Sequence, residues 1–286
     1  MKMDGRRTSA NVEDRRGKGA AVAAGGIGIG GIIIYLIVSL MGGDASAVME
    51  QMQQGSQEAM TEEYVPTAQE QEFELFASQI LASTEDVWTA EFQKYNATYR
   101  APKMVLFKGS VSSGCGNATS ATGPFYCSAD EKLYLDLDFF NEMQRSMGLK
   151  GDFACAYVIA HEVGHHVQHL LGTLDKAHQQ MARMDKTESN KMSVRIELQA
   201  DYYAGVWGYH ENKMFGSLED GDLQEAINAA QKIGDDYLQR QAGYRDVKSD
   251  LFTHGTSAQR MRWLKKGLQS GDITQGDTFS PAYNSL

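Results

Sequence analysis

In Asp152-Phe153-Ala154-Cys155-Ala156-Tyr157-Val158-Ile159-Ala160-His161-Glu162-Val163-Gly164-His165-His166-Val167-Gln168-His169-Leu170-Leu171, apolar residues return on every turn of a helix. Asp152 is placed to cap its start, and Gly172 follows as a C-cap. The reading is a long, largely buried helix. Within it His161-Glu162-Val163-Gly164-His165 has the spacing HExxH. Residues four apart share a helix face one turn apart, so both imidazoles can reach one ion. Glu162 sits about 100° round the helix from His161, near that ion without ligating it, where a carboxylate can polarise water. A composition of 7 His in 286 residues makes a random match an event of the order of one per cent. A random match would also fall more often on a polar surface than inside an apolar helix.

The neighbouring histidines do not complete the set. His169 shares the face but lies roughly 12 Å along the axis from His161, beyond the reach of a Zn–N bond of about 2.1 Å. His166 points about 140° away from His161. Both read as packing, hydrogen-bonding or cleft-wall residues. The metzincin pattern is excluded, because Gln168 and Leu171 stand where it needs Gly and His. Downstream candidates for a third ligand are Asp175, His178, Asp185, Glu188, Glu197, Asp201 and His210. Glu197 is the best of them. It opens Glu197-Leu198-Gln199-Ala200-Asp201, followed by the apolar Tyr202-Tyr203-Ala204-Gly205-Val206-Trp207, whose small residues allow close packing on the first helix. Glu197 and Asp201 share a face, so Glu197 can take the ion while Asp201 accepts the outer N–H of a ligating histidine.

Working outward, Phe73, Phe76, Ile80, Val87, Trp88 and Phe92 predict one or two helices between Gln69 and about Tyr95. Met104-Val105-Leu106-Phe107 reads as a short buried strand. Lys132 to Phe140 alternates, with Leu133, Leu135, Leu137 and Phe139 opposite Tyr134, Asp136 and Asp138, which predicts a half-exposed strand. Residues 173–192 read as a polar excursion, and further helices are expected at about 193–212, 219–242 and 256–268. The tail 269–286, rich in Gly, Ser and Asp, is expected to fray. The fold class is α+β: a mainly helical catalytic domain over 69–268 with a small sheet.

Charge is unevenly placed. The net charge is -10, yet Lys2, Arg6, Arg7, Arg15, Arg16 and Lys18 make residues 1–18 a basic leader. The acidic remainder argues against nucleic acid as a partner. Residues 19–43 carry no charge and include Ile32-Ile33-Ile34-Tyr35-Leu36-Ile37-Val38, long enough as a helix to span a core of about 30 Å. With cations before it and none after it until Lys94, the expectation is a single-pass anchor with a cytoplasmic N-terminus and an extracytoplasmic body. Ala45-Ser46-Ala47 offers the alternative of a cleaved signal peptide. Gly26 and Gly30 form a GxxxG pair, a weak sign of a homodimer. Residues 44–68 read as a tether. Outside the cytoplasm, Cys115 and Cys127 would form a disulfide across a Gly/Ser/Thr-rich stretch, leaving Cys155 as a buried thiol.

These residues resemble the bacterial neutral zinc metallopeptidases of the YpfJ type, which are distantly similar to HtpX-like membrane peptidases. The resemblance rests on the leader and apolar segment, Ser113-Gly114-Cys115-Gly116, Gly123-Pro124-Phe125-Tyr126-Cys127, Tyr134-Leu135-Asp136-Leu137, the HExxH helix, Glu197-Leu198-Gln199-Ala200-Asp201 and His254-Gly255-Thr256-Ser257. It implies one zinc ion per chain and a membrane-anchored gluzincin fold. Cys155 is a mild departure and leaves the site intact.

The expected activity is hydrolysis of peptide bonds in a peptide or protein substrate, with zinc held by His161, His165 and Glu197 and with Glu162 as general base. Strand 132–140 would offer an edge to an extended substrate. His254, before the helix that carries Arg260 and Arg262, is the candidate donor to the developing oxyanion, against the alternative that it or Thr256 merely caps that helix. The rival class is a zinc-braced scaffold of the cell envelope. A closed structural site ordinarily takes four protein ligands, often with cysteine, and only three can be assigned here.

Overall fold

The computed structural model describes residues 1–17, 64–148 and 151–286. A four-stranded sheet has the order β1 (Val12–Asp14), β2 (Lys103–Phe107), β6 (Lys132–Asp136), β5 (Phe125–Cys127). β1, β2 and β6 run parallel, and β5 closes one edge antiparallel to β6. A separate hairpin, β3 (Ser110–Ser113) and β4 (Gly116–Thr119), lies beside them. The helices are α1 (Ala68–Gln93), α2 (Leu137–Met147), α3 (Asp152–Leu170), α4 (Thr173–Met181), α5 (Lys186–Phe215), α6 (Asp222–Lys232), α7 (Asp235–Gln241) and α8 (Ser257–Ser270).

Side-chain alternation along β2 and β6 sorts the core into two layers. Met104, Leu106, Leu133 and Leu135 face the helices, joining Ile80, Trp88, Tyr157 and Trp207. Val105, Phe107 and Tyr134 face the other way, against Val111, Ala118 and Cys127. The alternation over 132–140 therefore does not mark a half-exposed edge. β6 lies between β2 and β5 and is covered on both faces, and the strand stops at Asp136, whose carboxylate caps α2 by accepting from the Asp138 N–H at 2.9 Å. The edge beside the helices is β5. Cys127 at its end is bonded to Cys115, and Cys155 is a buried free thiol.

α3 is buried from Phe153 through nearly every residue to Gln168, because α1, α5, α6 and the sheet surround it. Its caps fall one residue from expectation, at Gly151 and Leu171. The polar excursion 173–192 is helical: α4 takes its first half, and α5 begins at Lys186, capped by Asp185, whose side chain accepts from the Glu188 N–H. Exposure explains the weak period, since little of this stretch faces a core. The region 219–242 divides into α6 and α7 at Gly234.

Two terminal expectations are corrected. Residues 1–17, expected as a leader apart from the folded body, belong to that body through β1. The tail is packed rather than frayed. The Gln199 side-chain amide donates to the Gly276 carbonyl at 2.7 Å, Thr278 is fully buried, and Leu286 enters the main core. A Cβ at Gly276 would stand 2.6 Å from the Tyr202 ring, so a residue read as a flexibility signal instead permits close contact. No helix among the described residues is long and apolar enough to cross a membrane. The expected anchor 19–43, its Gly26/Gly30 pair, Ala45 to Ala47 and the tether as far as residue 63 lie outside the described residues.

Candidate metal centre

The contact between α3 and α5 is set by small residues. A Cβ on Gly164 would lie 2.9 Å from the Ala200 carbonyl oxygen, so only glycine lets the two helix backbones meet there. That approach brings one turn of α5 against the HExxH turn of α3. The ligand atoms of His161, His165 and Glu197 lie within 4.8 Å of one another, the one such group of three among the described residues. His161 Nε2 is 3.1 Å from Glu197 Oε2, and His165 Nε2 is 3.5 Å from Glu197 Oε1.

Both outer ring nitrogens are anchored, which aims both Nε2 atoms at the same point. His161 Nδ1 donates to Asp201 Oδ1 at 2.8 Å. His165 Nδ1 donates to Gln168 Oε1 at 2.9 Å, and the Gln168 amide is oriented by donating to the Ile196 carbonyl and to Gln199 Oε1. Asp201 is fully buried. It accepts from the Tyr157 hydroxyl at 2.6 Å and from Arg260 Nε and Nη2, each at 2.9 Å. Arg260 arrives from α8 through another close crossing, where a Cβ on Gly267 would overlap the Tyr202 carbonyl.

The charges follow from this arrangement. Burial would raise Asp201, but Arg260 and His161 outweigh it and hold the carboxyl at about 2. Burial would lower His161, yet Asp201 and Glu197 bring it up to about 10 when only the protein's own charges act. His165 falls to about 4, through burial and despite the Glu197 charge. Glu197 is also buried, but His165, His254 and His161 keep it well below the usual carboxylate range. Glu162 differs. Burial, followed by repulsion from Glu197, pushes it up to about 7 against the pull of the His161 and Arg260 charges.

His254 is brought to the centre, close enough that its charge and that of Glu197 act on each other. Asp235, at the start of α7, fixes it. Asp235 Oδ2 accepts the backbone N–H groups of Thr253, His254 and Gly255 at 2.8, 2.7 and 2.9 Å, and Oδ1 lies 3.2 Å from His254 Nδ1. Capping α8 is the task of Thr256, which shares a capping box with Gln259. His166 is fully buried, between the Tyr126 hydroxyl and the Arg100 carbonyl, and His169 contacts Asp175 and Glu131. His210 lies away from the centre, against Glu91 and the Gly271 carbonyl.

Three supporting residues lie outside the sequence reading of the site. Tyr157 precedes His161 by one turn, and that i,i+4 spacing was a usable signal. Gln168 was noticed only as a departure from another motif. Asp235 reaches the centre from α7 and nothing local marks it, whereas Arg260, expected as a cation beside His254, is bonded to Asp201.

With this centre in view, comparison with known proteins is decisive. The family described as "Putative neutral zinc metallopeptidase" matches residues 1–279. The chain belongs to this family. The uncharacterized protein YpfJ of Escherichia coli (strain K12) is 48% identical over 288 residues, covering 98% of this chain and 99% of its own. The uncharacterized protein Rv2575 of Mycobacterium tuberculosis (strain ATCC 25618 / H37Rv) is 44% identical over 194 residues, 64% of each chain. No solved structure matches. Family membership implies zinc as the metal, and the donor set fits it: two imidazole nitrogens and one carboxylate, with anchored outer nitrogens.

Proposed function

We propose that the protein is a zinc-dependent peptidase in which His161, His165 and Glu197 hold the ion and Glu162 is the general base. The observation that carries this reading is the convergence of the three donors beside Glu162, a buried carboxylate with no cation bonded to it. Three protein donors leave a coordination position open, as catalytic sites do. When bound, zinc would polarise the scissile carbonyl and acidify water.

The rest is the work of the chain. Glu162, poised at about 7, takes a proton from the attacking water on its carboxylate and passes it to the leaving amine nitrogen. Asp235 holds Nδ1 of His254, leaving Nε2 to donate to the carbonyl oxygen as negative charge develops there. An extended peptide pairs with the outer edge of β5, the terminal strand of the sheet beside the HExxH helix.

The test is zinc content measured together with casein hydrolysis on the purified full-length protein. Glu162→Gln should retain one zinc per chain and lose at least about 100-fold in turnover. His254→Ala should retain zinc and Tm while kcat falls. Wild-type protein that holds zinc and leaves casein and a mixed peptide library uncut would favour the zinc-braced scaffold.

A further inference from the structure

The first seventeen residues are built into the domain at three levels. β1 adds a parallel strand to β2 in the register Val12↔Met104, Glu13↔Val105 and Asp14↔Leu106, flanked by backbone bonds from Met104 N–H to the Asn11 carbonyl and from Arg15 N–H to the Leu106 carbonyl, each 2.8 Å. Ion pairs reinforce the pairing. Arg6 Nη1 lies 2.7 Å from Glu211 Oε1, a carboxylate that is fully buried on α5. Arg7 grips Glu85 and Asp86 on α1, and Arg16 bonds Asp14 and Glu74. Backbone contacts complete it, with the Gln79 amide donating to the Met3 carbonyl and Ser9 N–H to the Ser78 carbonyl.

The two ends that border residues 18–63 also touch. A Cβ on Gly17 would lie 2.5 Å from that of Tyr64, and the Arg16 guanidinium stands 5.8 Å from the Tyr64 ring centre. The segment that contains the charge-free stretch 19–43 therefore leaves the domain and re-enters it at one place.

We infer that residues 1–17 and 64–286 occupy the same side of any lipid bilayer that the charge-free stretch 19–43 meets. A single crossing between residues 18 and 63 would separate β1 from β2 by a hydrocarbon core of about 30 Å and leave Glu211 buried without its cation. The number of complete crossings in that segment is even, zero included. The cations that predict a cytoplasmic N-terminus have another use. Lys2, Arg6, Arg7 and Arg16 all lie within ion-pair distance of carboxylates on the body of the domain, and Arg15 pairs with Glu13. The inference rests on packing and stands apart from the chemistry of the metal centre.

The test uses the full chain in bacterial cells. Lys2 has a 70% exposed side chain and Lys265 is exposed, so Lys2→Cys and Lys265→Cys report on the two parts. A membrane-impermeant maleimide should label both in intact cells or neither until lysis. Opposite accessibility would overturn the inference. A second measurement covers the docking itself. With Arg7→Cys and Asp86→Cys present, a short bis-maleimide applied to membranes should join the residues. After cleavage at a protease site inserted within 18–63, the N-terminal fragment should stay attached to the body. A fragment that is released would overturn the inference as surely as opposite labelling.

Discussion

Glu211 and Glu162 are both buried carboxylates on the two helices that cross at the centre of the molecule, yet they are treated in opposite ways. Glu211 is fully covered and has Arg6 and the hydroxyls of Ser83 and Ser217 around its two oxygens. Glu162 is 8% exposed, with no cation bonded to it. The first arrangement suits a carboxylate whose task is to hold residues 1–17. The second suits one whose proton must come and go. One buried carboxylate is bonded to a cation, and the other has only more distant charges to offset its burial.

The largest expected effect breaks the first arrangement. Arg6→Ala leaves Glu211 buried without its cation, which should destabilise the fold by about 3–5 kcal/mol in urea titration, while zinc content in the folded fraction stays at the wild-type level. A loss under 1 kcal/mol would show that the hydroxyls suffice and that the contrast with Glu162 is false.

The next prediction sharpens the second arrangement. A carboxyl raised from 4.5 to about 7 binds its proton more tightly in the folded state than in the unfolded state. Its contribution to stability is therefore full below about pH 4.5 and is lost as pH rises through about 7, a change on the order of 3 kcal/mol. In metal-stripped protein, Glu162→Gln should be more stable than wild type at pH 8, with the advantage disappearing near pH 4. Equal stability across that range would mean that Glu162 is solvated.

The smallest effect concerns Asp201, which has the cation that Glu162 lacks. Arg260→Gln keeps a donor but removes the charge that pins the Asp201 carboxylate behind His161. Zinc retention against a chelator should fall by about 10- to 100-fold with the fold intact, as for other partners of ligating histidines. Unchanged retention would assign Arg260 to packing alone.

Legibility in the sequence followed the range of the interactions. The HExxH helix and the Glu197/Asp201 turn are each written within a few residues, and the close packing that small residues announced on the HExxH helix holds at Ala200, whereas Gly205 makes its close approach to α8 instead. Cys115 and Cys127 were legible from the loop between them, which has too few apolar residues to order itself. β1 was not, because three residues carry no period and the partners of Arg6 and Arg7 lie 205 and 79 positions away. The alternation over 132–140 was read correctly as strand for its first half. Its burial on both faces depends on β3 and β4, which no periodicity in β6 can reveal. Asp235 and His254 illustrate the same limit at the site, since they are 19 residues apart and meet only after α7 and α8 have packed.

Gly164 binds nothing, and it acts as the gauge block of the whole centre. The spacing of α3 and α5 is fixed by a side chain that is missing, with the Ala200 carbonyl where a methyl group would go. A methyl there would have to push the helices apart, and the tolerance of such a centre is about 0.5 Å. His161 and Glu197 sit on opposite sides of that gap, so any widening passes undiminished into the bite of the ligand set. The machining accuracy of this metal centre is held one residue away from a ligand, in the atom that glycine does not have.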